Sequence, residues 1–156
     1  MYLIDTSVLS ALRKRERNPE VTRWIADQRD TDLYLSVVSI GEIERGLAAV
    51  EGRDPAFAAR LEDWLDAVLR PYGNRILPVD LPVERRWGRL SQQAGNADPD
   101  LLIAATALEH GLTVVTRNTR HFEPTGVPVL DPSMPTDADG RARRQRARRR
   151  RYSTGE

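Results

Sequence analysis

Apolar residues fall along this chain in two spacings. Five short runs are too brief for helices and carry the β-branched and aromatic residues that favour strands: Tyr2 to Ile4, Leu33 to Leu35, Arg75 to Val79, Thr113 to Val115 and Val127 to Leu130. The segments between them repeat apolar residues every three or four positions. One predicted helix begins near Val8 and fades in the charged run Arg13 to Arg17. A second opens at Asn18-Pro19 and places Val21, Trp24 and Ile25 on one face. A third starts at Ser36 or Ser39, carries Ile40, Ile43, Leu47 and Val50, and ends near Gly52. Asp54-Pro55 opens a fourth, because aspartate accepts from free backbone N–H groups and proline at the first helical position withholds none that is needed. It stops before Pro71, and a fifth runs from Pro82 to Ala94. Asp98-Pro99-Asp100 repeats the same start ahead of an almost wholly apolar helix, Leu101 to His110, closed by Gly111. A short helical turn is expected over Asn118 to Phe122. Strands separated by helices predict an α/β fold, a parallel sheet with helices on both faces.

Composition narrows the chemistry. With 156 residues, 40% of them hydrophobic and 6% aromatic, the chain suits one domain with an aliphatic core. It has no cysteine and two histidines, His110 and His121, so a bound metal must rely on oxygen donors or on those imidazoles. No uncharged stretch approaches the about 20 residues of a membrane span, and a soluble, cytoplasmic protein is expected.

The formal charge of +1 conceals an asymmetry. Eight arginines stand against three acids from Thr136 onward, which leaves 16 basic against 20 acidic residues before it. After Pro132 apolar periodicity ceases, so a folded unit over 1–132 and a basic, disordered tail over 133–156 are expected.

Acids gather where an open parallel sheet keeps its reactive crevice, beyond the carboxyl ends of strands. Asp5 follows the first strand, Glu42 lies early in the helix after the second, and Asp98 and Asp100 head the apolar helix. Converging carboxylates repel one another unless a divalent cation compensates them. Mg²⁺ or Mn²⁺ held by such acids orients and acidifies a water and neutralises a phosphodiester oxygen, which is hydrolysis without a side-chain nucleophile. Each acid also has a plainer reading. Asp5 and Asp98 are explained as helix caps, Asp100 as a favourable charge at a helix start, Glu42 as a solvated position, and Asp80 as the acid ending a strand. A phosphoacceptor signalling domain places acids similarly but requires a lysine near the site, and the only lysine is Lys14 on the first helix.

Three stretches, LIDTSVLS at the start, SVVSIGEIERGL in the middle and DLLIAATALEHGLTVVTRNTRHF towards the end, resemble the PIN domain, and in particular the VapC-type toxin ribonucleases, over residues 1 to about 132. The resemblance implies a three-layer fold with a twisted five-stranded parallel sheet. It also implies a metal-dependent endoribonuclease, the toxin of a toxin-antitoxin pair, usually a homodimer and inhibited by a small VapB-like antitoxin. By motif, Asp5, Glu42 and Asp100 match the catalytic acids, with Asp5 and Asp100 as metal ligands. Asn118 occupies a position that often carries aspartate, and His121 one where relatives carry another acid. Thr6, Ser7 and Thr116 are implied to hydrogen-bond the acids or metal waters. A catalytically weakened RNA-binding module and a housekeeping RNA-processing nuclease are the alternatives. Arg117 and Arg120, with Arg141, Arg143, Arg144 and Arg146 of the tail, are the candidate phosphate contacts.

Overall fold

A computed structural model describes residues 1–134. The arginines of the expected tail, Arg141, Arg143, Arg144 and Arg146, lie outside the described residues.

Five parallel strands, β1 (Tyr2–Ile4), β2 (Leu33–Ser36), β3 (Ile76–Leu77), β4 (Thr113–Val115) and β5 (Val129–Leu130), form one sheet in the order β3-β2-β1-β4-β5. Seven α-helices connect them among the described residues: α1 (Thr6–Leu12), α2 (Pro19–Ala26), α3 (Val37–Glu51), α4 (Pro55–Leu69), α5 (Leu81–Ala94), α6 (Pro99–His110) and α7 (Thr119–Phe122).

Side chains alternate across a strand, and here both alternating sets are apolar. Ile4, Leu33, Leu35 and Val115 turn to the face covered by α1, α2, α3 and α4, where they meet Val8, Leu9, Val21, Ile43 and Leu65. Leu3, Leu77 and Val114 turn to the opposite face, against Ile103, Ala104 and Ala107 of α6 and Phe122 of α7. The two cores explain why the strands read as continuous apolar runs. They also explain α6, whose Leu101, Ile103, Ala104, Ala105 and Ala107 are all buried. At its end Gly111 takes φ +65°, and the next amide, Leu112, donates back to the Ala107 carbonyl at 2.8 Å.

Two strands are shorter than their sequence runs. Pro78 cannot donate to a ladder, so β3 stops at Leu77 instead of reaching Val79. Pro128 likewise delays β5 to Val129, although its carbonyl still accepts from Val114 N–H at 2.8 Å. The first helix begins at Thr6, two residues earlier than its apolar spacing indicates, because Asp5 caps it.

Candidate active site

Sheet order places the crevice. From β1 the chain moves outward through β2 to β3, then returns to add β4 and β5 on the other side, so the connections diverge between β1 and β4. Ligand crevices in open parallel sheets lie at such a divergence. Asp5 follows β1 and Thr116 follows β4.

Asp5 is 1% exposed, and Thr116 is fully buried. The Asp5 backbone N–H still pairs with the Val115 carbonyl at 3.0 Å, which fixes the residue to the sheet edge. Its Oδ2 accepts from Thr116 Oγ1 at 2.7 Å and Ser7 Oγ at 2.7 Å, with a longer contact to the Ser7 amide at 3.4 Å. Its Oδ1 is buried and has no hydrogen-bond partner among the described residues. A carboxylate with one oxygen doubly held and the other orphaned is unusual, since a buried acceptor without a partner costs about 1–3 kcal/mol.

Thr116 also accepts from Asn118 N–H at 3.0 Å, and Ser7 Oγ accepts from Arg117 N–H at 3.2 Å. These two hydroxyls therefore tie the segment after β4 to the start of α1. Thr6 Oγ1, in the first turn of α1, donates to Glu42 Oε2 at 2.5 Å and links α1 to α3.

Burial raises the pKa of Glu42, and the charges of Asp100 and Asp5 raise it further, against the lowering effect of the Thr6 hydroxyl. Asp100 follows the same pattern. Burial raises it first, the His121 hydrogen bond lowers it, and the charges of Asp5 and Asp98 raise it again. Asp5, Glu42 and Asp100 thus lie within one another's fields, as their place in the fold requires.

His121 Nδ1 lies 2.7 Å from Asp100 Oδ2, with side chains 63% and 23% exposed. Asn118 stands at the start of α7, exposed, and its side chain makes no capping bond. Asp98 occupies the N-cap position of α6, but its side chain makes no capping bond; its carbonyl accepts from Leu101 N–H at 3.0 Å. Asp80 does cap, accepting from Val83 N–H at 3.1 Å at the start of α5. Arg117 and Arg120 are exposed, and Arg117 Nη1 donates to Asn18 Oδ1 at 3.2 Å.

As the side chains stand, no three His, Asp or Glu residues among those described enclose an ion. The donor set nonetheless fits a hard divalent cation. It comprises carboxylate oxygens, one of them buried and unpartnered, with two neighbours whose mutual repulsion a cation would relieve.

The sequence did not indicate a groove of about 810 Å³ elsewhere, lined by Leu12, Lys14, Trp64, Val68, Tyr72 and Arg75. Its walls come from the ends of α1 and α4 and the turn after α4. The only local signal was the Arg13 to Arg17 run, which reads equally as a solvated helix end.

Comparison with known proteins agrees with this architecture. The PIN domain matches over residues 2–126. The chain is 39% identical to VapC ribonuclease Y4jK of Sinorhizobium fredii, covering 86% of this chain and 99% of that protein. It is 33% identical to toxin FitB of Neisseria gonorrhoeae, covering 85% and 98%. The crystal structure of FitAcB from Neisseria gonorrhoeae superposes with a TM-score of 0.75 at 32% identity, over 85% of this chain and 98% of that one. With the match spanning nearly all of the described residues and both relatives aligned almost end to end, the chain belongs to the PIN-domain family, in its VapC-type toxin branch.

Proposed function

We propose that the protein is a divalent-metal-dependent endoribonuclease, the toxin of a toxin-antitoxin pair, with Asp5, Glu42 and Asp100 as its catalytic acids. The observation that carries this reading is the buried, unpartnered Oδ1 of Asp5 beside two carboxylates of raised pKa. Asp5 and Asp100 hold Mg²⁺, or Mn²⁺ in its place. When bound, the ion supplies charge neutralisation at a phosphodiester oxygen and lowers the pKa of a coordinated water.

The side chains divide the remaining work. Thr116 and Ser7 engage Oδ2 of Asp5 and leave Oδ1 free for a ligand. Glu42, oriented by Thr6 and shifted upward by burial, is suited to accept a proton from the attacking water. Arg117 and Arg120 offer cations to RNA phosphates that the acids alone would repel. Partnership with a small antitoxin is supported by the relative toxin FitB and by a neighbour of the same fold from Klebsiella pneumoniae that is a toxin-antitoxin complex.

The test is cleavage of a fluorescent RNA by untagged protein, with Mg²⁺, with Mn²⁺ and with a chelator. The parent cleaves only with a divalent ion, and Asp5→Asn, folded by circular dichroism, loses at least about 10²-fold in rate. An Asp5→Asn variant that cleaves at the parent rate would refute the mechanism. Expression in cells should arrest growth unless a cognate antitoxin is co-expressed.

A further inference from the structure

Asp100 has an unusual neighbour for an acid cluster. Its Oδ2 lies 2.7 Å from an imidazole nitrogen, His121 Nδ1, on a short helix anchored by the fully buried Phe122 and by the His121 N–H to Asn118 carbonyl bond at 3.0 Å. Two ligand atoms at right angles on one ion, each about 2.1 Å from it, stand about 3 Å apart. The observed spacing is close to that, with a hydrogen bridging the pair in the metal-free protein. Nε2 makes no hydrogen bond among the described residues, so it is free to carry the ring proton while Nδ1 offers its lone pair.

We propose that His121 is a direct ligand of the ion held by Asp5 and Asp100, and that its imidazole shifts the site's preference from Mg²⁺ towards transition-metal dications such as Mn²⁺ and Co²⁺. The inference rests on the reading of the acids as an ion site. Carboxylates suit Mg²⁺ and Mn²⁺ alike, whereas an imidazole nitrogen favours the softer ions, and Mg²⁺ demands near-ideal octahedral oxygen geometry. Asp5, whose charge acts on Asp100, keeps a buried oxygen without a partner, an observation independent of the histidine.

The chain has two histidines, and this makes the test specific. His110 closes α6 and lies ten residues beyond Asp100, about 15 Å along the helix. Pulsed electron paramagnetic resonance of Mn²⁺ bound to untagged protein should show one strong ¹⁴N coupling, absent in His121→Ala and retained in His110→Ala. Calorimetry should show the ratio of Mn²⁺ to Mg²⁺ affinity falling about 10-fold or more in His121→Ala, and falling likewise in His121→Asp, which restores an oxygen donor. His121 is exposed, so neither variant threatens the fold. Ion binding with no ¹⁴N coupling and an unchanged affinity ratio would overturn the role of His121 while leaving the acids as the ion site. No binding of either ion by the parent would overturn both.

Discussion

Thr116→Val isolates the hydroxyl that fixes Asp5. Valine replaces Oγ1 with a methyl group of similar size, so no cavity opens at the fully buried position and the cost comes from the lost hydroxyl. Three contacts of the hydroxyl are lost, to Asp5 Oδ2 at 2.7 Å, from Asn118 N–H at 3.0 Å and a long one with Ser7 Oγ at 3.4 Å. The first involves a carboxylate and is worth about 1.5–3 kcal/mol, while solvent can replace the second at little cost. Ser7 Oγ still holds Oδ2 at 2.7 Å, which keeps the loss away from the upper limit. A destabilisation of about 2 kcal/mol is expected, or a fall in Tm of about 6–10 °C for a domain of this size. Urea denaturation in chelator reads the value without interference from an ion. In an Asp5→Ala background the Thr116 hydroxyl has lost its acceptor, so the same substitution should cost under about 0.5 kcal/mol, giving a coupling energy of about 1.5 kcal/mol or more. Equal costs in the two backgrounds, or a parent-like Tm for Thr116→Val, would refute the assignment.

Asp100→Asn should raise the melting temperature of the metal-free protein at neutral pH while abolishing cleavage. Its carboxyl pKa is raised in the fold, so the protonated form stabilises: that stability is present below the unfolded pKa and lost as pH rises through the folded one. The advantage of the amide should therefore vanish towards pH 4, and a variant melting at or below the parent at pH 7 contradicts the argument. Glu42→Gln should behave in the same direction, more weakly where the Thr6 hydroxyl already offsets its charge. Arg75→Met removes a guanidinium that donates to the Leu33 carbonyl at 2.7 Å, to Pro71 at 2.6 Å and to Asp30, joining β2 to the segment before β3. A loss of about 2–3 kcal/mol is expected in urea melts with RNA cleavage per folded molecule unchanged, and a loss under about 0.5 kcal/mol would show that the carbonyls find water instead.

What was legible in the sequence follows from which forces act locally. The two-residue and three-to-four-residue spacings that predict strands and helices are the spacings at which side chains meet the core, so Leu3 and Ile4 announce two buried faces and Leu101 to Ala107 a helix enclosed on all sides. Prolines edit the pattern by removing donors, and they shortened β3 and β5 where apolar residues alone continued. Capping is harder to read, because residue type alone does not decide whether the side chain turns back onto the first-turn amides. Asp54, directly before Pro55, and Asp80, before Leu81-Pro82, cap their helices, whereas Asp98 directly before Pro99 does not. The acids of the candidate site were legible as members of a set, since each stands where a strand end or helix start faces one crevice. Which partner meets which acid was not, although the resemblance named Thr6, Ser7 and Thr116 as hydrogen-bonding groups. Thr6 with Glu42, Thr116 with Asp5, and His121 with Asp100 are 36, 111 and 21 residues apart, and no periodicity joins them. Only the 3-2-1-4-5 order brings β4 beside β1 and so sets Thr116 against Asp5. The hydroxyl and imidazole contacts that tune the acids are thus a property of topology.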